Sequence, residues 1–451
     1  MIVKYLFLPS AIFLCVGCSM LTQEEAFEDV NRLTRHSGAD MLLWVRTPDE
    51  SLQVRQRVER LLSLPLSLDN AVRIALINSR HLQAVYSEVG IAQSELVQAG
   101  LFTNPILGYS LGQGNGMTQN TLRVEWGFLD ILWIPMRQHL SALALEETQY
   151  RIGNEVLQYV RDTKLAYLDL QVAFARLKAH EPVLNSSEVS ARLAARQYAA
   201  GNLPKRNYLT IYEEYLQNHA ESIRLNREVA SARETLNRIL GLYGTQTRYA
   251  LAEYDGEFAL DAMDAETIER SAVECRLDVK AARKRLEHDA VQAGYAVDTR
   301  LLSEGSLEFD REKNSGEADA LKTFGAKVAL PIFDIGQGRV ARTKSLYLQS
   351  LHGLYETTVN ARSEVRQAYA EVRYAYDIAA EYRDRIVPVR RQILEETQKH
   401  YNGMLEGIEE VLKDQRILAE RELELIERVG EFKKATARFD YVSGGKTDGT
   451  R

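Results

Sequence analysis

The chain has 451 residues, of which 26% are charged and only 9 are proline, and it carries a net charge of −7. That composition suits long helices better than two or three ordinary domains, and it offers no basic stripe for a nucleic acid, so no nucleic-acid partner is expected. Three cysteines and eight scattered histidines, with no histidine pair at a three- or four-residue helical spacing, give no disulfide framework and no metal centre or cofactor to expect.

Lys4, the apolar run from Tyr5 to Val16 and Gly17-Cys18-Ser19 form a processing segment too short to span a bilayer as a helix. Residues 1–17 read as a lipoprotein signal peptide and Cys18 as the point of lipid attachment, with Gly17 as the small residue at the cleavage site. Cys15 departs from the usual pattern, where Leu or Val is commonest, and an ordinary cleaved signal is the competing reading. Ser19 is compatible with passage to an outer membrane. Cys275 is then alone in the mature chain and reads as a small buried hydrophobe.

Residues 18–66 read as an arm packed on the outside, with two short helical patterns separated by Trp44 and Thr47-Pro48. Ser67 or Asp69 then caps one helix, carrying Ala71, Ile74, Leu82, Val85, Val89 and Leu96 and ending at Asn104-Pro105. Beyond the proline the period falls to two. Leu107, Tyr109 and Leu111 alternate with glycine and serine, and Leu122, Val124, Trp126 and Phe128 alternate with Thr121, Arg123, Glu125 and Gly127, which is a hairpin with one apolar wall.

A long helix is expected from Pro135, with Ile152, Val156, Val160, Thr163, Tyr167 and Leu170 stepping by four and three. It ends in the tip Gly201-Asn202-Leu203-Pro204, and Leu209, Tyr212, Leu216 and Ile223 lead a return helix to Gly241. Residues 242–266 form a turn-rich link. From 267 the pattern starts again: a helix from Ala272 to Val297, a strand containing Leu307 and Phe309, and a strand from Thr323 to Leu330. A helix then follows with a 3.5-residue seam from Leu351 through Val372, Tyr382, Ile386 and Val389 to Ile393. From Gly338 to Gln398 it would span roughly 90 Å. The second tip contains Gly403, Met404, Leu405 and Gly407, and the last helix carries Leu418, Leu425, Val429, Phe432 and Phe439. Residues 443–451 read as a disordered tail.

The chain is therefore one pattern used twice, residues 67–241 and 267–442, offset by about two hundred residues. Arg276-Leu277-Asp278-Val279 echoes Ser79-Arg80-His81-Leu82, Ile332-Phe333-Asp334 echoes Phe128-Leu129-Asp130, and Tyr401 echoes Tyr198. Pro182 and Pro388 interrupt the two long helices at matching places, so a bend is expected in both.

These marks together with Leu68-Asp69-Asn70-Ala71-Val72 and Leu330-Pro331-Ile332-Phe333-Asp334-Ile335-Gly336-Gln337 resemble the outer-membrane efflux protein (TolC) family from Leu66 to Val442. Tyr401-Asn402-Gly403-Met404-Leu405 looks most like its heavy-metal and copper resistance branches. The resemblance implies a mainly α fold with a membrane β-barrel portion, in which three copies each give four transmembrane strands to a twelve-stranded barrel. Long antiparallel coiled-coil helices continue that barrel as a periplasmic tunnel. It further implies a passive conduit in the outer membrane, not an enzyme, joined through a periplasmic adaptor to an inner-membrane pump, exporting heavy-metal ions or else drugs and other small molecules. The alternative is a periplasmic coiled-coil lipoprotein, an adaptor or scaffold without a channel. Gly336-Gln337-Gly338 is the best enzyme-like motif, and it lacks a third glycine and a βαβ setting.

Under the family reading, Gly201, Asn202, Leu203 and Pro204 and the second-tip residues Gly403, Met404, Leu405 and Gly407 dock the adaptor. The plainer role of Gly201 and Gly403, permitting a turn, is compatible with that. Glu406, Glu409, Glu410 and Lys413 are expected at a periplasmic gate. Glu410 aligns with the first of two constricting aspartates of better-known members, and Lys413 stands where the second would be. A solvated helix face is the alternative.

Overall fold

The computed structural model describes residues 23–35, 42–114, 117–260, 265–300, 305–315 and 319–444. Its elements are α1 (Gln23–Thr34), α2 (Pro48–Leu62), α3 (Leu68–Asn78), α4 (Arg80–Ala99), β1 (Ile106–Gly114), β2 (Met117–Gly127), α5 (Leu129–Ala199) and α6 (Lys205–Leu240). The second half repeats the order with α7 (Ala265–Cys275), α8 (Leu277–Asp298), β3 (Gly305–Asn314), β4 (Leu321–Val328), α9 (Gln337–Glu381), α10 (Val387–Asn402) and α11 (Ile408–Val442).

The four strands form one antiparallel sheet in the order β1-β2-β3-β4. Directly below it the helices pack in the order α4, α5, α8, α9, and farther out in the order α6, α5, α11 with α9 and α10. Each layer thus has four members and two free edges. The 71 residues of α5 tie the layers together over roughly 105 Å.

Among the described residues three apolar clusters hold the helices. Phe27, Val30, Tyr86 and Ile152 seat the N-terminal arm against α4 and α5. Leu66, Ile74, Tyr167, Leu170, Leu236 and Leu240 close the first half, and Val372, Phe432 and Phe439 close the second, where Tyr376 lies edge-on to Phe432 and Phe258 is tilted against it. Thr47 and Glu50 start α2 with a reciprocal capping box.

The helix expected from Ser67 to Asn104 breaks at Ser79, whose backbone is extended (φ −65°, ψ 120°). The helix expected from Ala272 to Val297 breaks in the same way at Arg276 (φ −59°, ψ 132°). Both breaks sit at the motif that echoes between the halves, and each is held by different chemistry. Ser79 accepts from the Leu82 amide and donates to Tyr159. Buried Arg276 donates to Asp278 and, at 2.7 Å, to Glu364 on α9. Apolar periodicity runs through both breaks, which is why it conceals them.

Three further expectations need correction. α5 begins at Leu129 rather than Pro135, so Pro135 lies inside the helix, as Pro182 does. In the second half Pro388 instead follows a single π-helical turn, Tyr382–Ile386.

That turn inserts an extra residue, rotating the helix face by about 100°. The stripe expected to continue through Val389 and Ile393 leaves both exposed, and Val387, Leu394 and Thr397 turn inward instead.

On α6 the expected seam Leu209, Tyr212, Leu216 and Ile223 is exposed, and Ile211, Asn218 and Leu225 are buried. The apolar stripe there faces away from its own chain because α6 is an edge helix.

Candidate functional site: a two-sided wall and two tips

The strand register aligns side chains of like chemistry. Leu107, Val124, Phe309 and Phe324 are successive cross-strand partners, so one apolar row crosses all four strands. Leu107 and Phe324 are 71% and 74% exposed, an apolar face with nothing of its own chain against it. Trp126 and Leu307 extend it toward the helices, where exposed Phe102 and Phe333 lie, and the Trp126 indole donates to the Thr103 carbonyl. Trp126, Phe102 and Phe333 thus add aromatic side chains at the helix end of a band that already holds Phe309 and Phe324 in its middle row.

The opposite face pairs Arg123 with Asp310, Glu125 with Glu308, and Ser306 with Lys327. The Arg123 guanidinium donates two bonds to Asp310, at 2.9 and 3.0 Å, and forms an ion pair with Glu308 at 2.7 Å. Lys327 reaches Glu308 at 2.6 Å, and Ser306 donates to Glu125 at 2.8 Å. Glu312 follows on the same side, accepting from Gln119. Alternation in the sequence puts Arg123 and Glu125 on this face of the first hairpin, and in the second it puts Ser306, Glu308 and Asp310 opposite Leu307 and Phe309, with Lys327 opposite Val328. Carrying the period of two one step further along β3 adds Glu312.

At the far end of the helices the two tips share one backbone solution. In the first, the Asn202 amide donates to the Gln197 carbonyl at 2.9 Å and the Gly201 amide to Tyr198 at 3.0 Å. In the second, Leu405 donates to His400 at 2.9 Å and Met404 to Tyr401 at 3.0 Å. Both are Schellman closures. The left-handed position is Gly201 in one (φ +77°) and Met404 in the other (φ +61°).

Gly403, at φ −79°, therefore does not permit the turn by virtue of being glycine; Met404 takes the strained conformation. Its side chain is 93% exposed and that of Leu405 is 76% exposed. A ladder of rings, Tyr198, Tyr208, Tyr212, Tyr215 and His219, runs up from the first tip with centroids 5.3 to 6.3 Å apart. Seam spacing alone placed Tyr212 with Leu209 and Leu216 and did not join it to Tyr198, Tyr208, Tyr215 and His219, because the ladder follows ring contacts across the tip and not a heptad.

Beside the second tip, Glu406 meets His400 at 3.3 Å, Glu409 is exposed, and Glu410 pairs with Lys413 at 3.1 Å within the same helix. Ile408, beside them at the start of α11, is 42% exposed. Asp414 accepts from Thr397 at 2.7 Å, joining α11 to α10. Cys18 lies outside the described residues, as does the tail 445–451. Cys275, expected to be buried, is partly exposed.

A short sheet with one greasy and one charged wall is thus carried on two long helical hairpins. Solved structures share this architecture. The chain is similar to CusC, described for transmembrane channel formation, with TM-score 0.70 at 18% identity, covering 85% of this chain and 93% of CusC. It is similar to the outer membrane protein VceC of Vibrio cholerae (TM-score 0.69, 17% identity, 84% and 96% covered). It is also similar to the CmeC outer membrane channel of Campylobacter jejuni (TM-score 0.70, 15% identity, 91% of both chains). No family model matches the sequence, and no curated protein matches it. The fold is that of the outer-membrane channels, as the resemblance to the TolC family implies.

Proposed function

We propose that this chain is the outer-membrane channel of a tripartite export system, a passive conduit closed by three copies, rather than a coiled-coil scaffold. The observation that carries the proposal is the open four-stranded sheet. Its apolar face is uncovered, its other face is charged, and β1 and β4 have free edges. In lipid an open edge leaves backbone groups unsatisfied, so the strands must pair with those of other copies. Two copies would give eight strands, a lumen filled by side chains; three give twelve and room for water around Arg123, Glu308, Asp310 and Lys327.

The edge helices support the same closure. α6 exposes Leu209, Tyr212, Leu216 and Ile223, and the opposite edge exposes Tyr355, Val359, Tyr374 and Ile378 on α9. Apolar stripes at both edges of an open layer suit burial against neighbouring copies. Four carboxylates, Glu125, Glu308, Asp310 and Glu312, line the polar wall against two cations, Arg123 and Lys327. A lumen of that balance favours cations, consistent with a metal-ion cargo ahead of drugs or other small molecules.

Cys18 would anchor the chain to the membrane, an adaptor would dock at the tips, and an inner-membrane pump would supply the energy. Reconstituted trimer in a planar bilayer should conduct ions without nucleotide or other fuel. Repeated failure of verified trimer to conduct would return the chain to the scaffold reading.

A further inference from the structure

The apolar face of the sheet does not stay apolar. Beyond the Leu107–Val124–Phe309–Phe324 row, toward the strand connections at 115–116 and 316–318, the next row is Tyr109, Leu122, Arg311 and Lys322. The row after that is Leu111, Asn120 and Lys313. At these two levels the first hairpin carries Tyr109, Leu122, Leu111 and the neutral Asn120, while the second places three exposed cations on the side that Phe309 and Phe324 occupy. Among the described residues none of the three has an ion-pair partner, whereas both cations of the polar face, Arg123 and Lys327, are paired.

Arg311 and Lys322 are direct cross-strand partners. Like charges in that position repel unless an anion lies between them. Their side chains start about 5 Å apart, and Lys313 follows roughly 7 Å along β3. A phosphate between Arg311 and Lys322, with a second anionic group near Lys313, would satisfy all three with charge-assisted hydrogen bonds. Because the helices leave from the other end of the sheet, this row lies at the rim farthest from them, on the lipid side.

We propose that Arg311, Lys313 and Lys322 form a site for the phosphorylated headgroup of an outer-leaflet glycolipid, repeated once per copy around the barrel. The inference rests on the channel reading and extends it. It commits to a lipid because the row continues an apolar face against which acyl chains can lie, which a soluble anion does not use.

The test uses full-length trimer whose conductance has first been recorded in a zwitterionic bilayer, so that a failure of the channel reading shows there. Native mass spectrometry then compares retention of bis-phosphorylated lipid A with that of its dephosphorylated form. The wild type should retain the phosphorylated lipid preferentially. R311Q/K322Q should lose about tenfold or more in retention, given two charge-assisted contacts removed. R362Q/R373Q, which removes equal charge from exposed positions on the helix α9, should behave as wild type. Equal retention of the two lipids, or unchanged retention in R311Q/K322Q with normal conductance, would overturn the site. Competition by millimolar inorganic phosphate would also overturn it, in favour of a free-anion site.

Discussion

The two halves of the chain follow one backbone path and then part company wherever that path reaches an end or an edge. The return helix of the first half, α6, stands at the margin of its layer and displays its leucines. The return helix of the second half, α11, lies inside and buries Val429, Phe432 and Phe439. The first tip turns on Gly201 and carries stacked tyrosines; the second turns on Met404 among acidic residues. The first hairpin is uncharged at its rim, with Leu111 beside Asn120, and the second is basic there. Repetition thus supplies a scaffold, and the chemistry that meets lipid, partner or neighbouring copy is free to differ between the halves.

The sharpest break in that comparison is at the return helices. Phe432→Ala removes a 5% exposed ring packed between Phe258 and Tyr376 and should cost about 3–5 kcal/mol of fold stability. Leu216→Ala, on the 47% exposed stripe of α6, should leave the fold of the chain within about 0.5 kcal/mol while weakening the trimer. Denaturation followed alongside the trimer–monomer ratio separates the two. Equal effects on both readouts would mean that α6 is not an assembly edge.

Next in size is the hairpin contrast. Val124→Arg, in the central apolar row, should cost about 2–4 kcal/mol and abolish assembly in the membrane. Leu111→Arg, at the rim level of Lys313, should cost no more than about 1 kcal/mol. Yields of heat-resistant trimer report both, and tolerance of Val124→Arg would show that the apolar face does not meet lipid.

The tips give a smaller and opposed pair. Gly201→Met forces a side chain into the left-handed conformation and should cost about 1–2 kcal/mol locally, whereas Met404→Gly should relieve a comparable strain. Hydrogen exchange of the tip amides would detect each. Gly407, at φ −85° with nothing within 4 Å of an added Cβ, accepts a larger residue without strain. Gly407→Arg should therefore lower export while trimer and surface levels persist, and unimpaired export would remove the adaptor from this tip.

Subtlest of all is Glu410→Gln, which has no counterpart in the first tip. If three copies bring Glu410 to the axis, single-channel records should show lower cation selectivity or higher conductance and weaker block by trivalent cations. Unchanged records here and in the Glu406 and Glu409 variants would leave these side chains on a solvated face.

Much of this architecture is carried by periodicity. The change of period between strand and helix depends only on which residues are apolar, and so does the doubling of the pattern. The two faces of the strands follow from alternation alone, because successive side chains must point to opposite sides. The breaks at Ser79 and Arg276 were visible only as an echoed motif, since the apolar spacing crosses them undisturbed.

Three features needed the tertiary structure. Which side of α6 is buried depends on its place at the edge of a layer, and no residue of α6 encodes its neighbours. The π turn before Pro388 moves the buried stripe from Val389 and Ile393 to Val387 and Leu394, because a seam counted at fixed spacing cannot register an inserted residue. The basic rim emerged only when the β3–β4 register set Arg311 opposite Lys322, for residues eleven apart in sequence become neighbours through pairing alone.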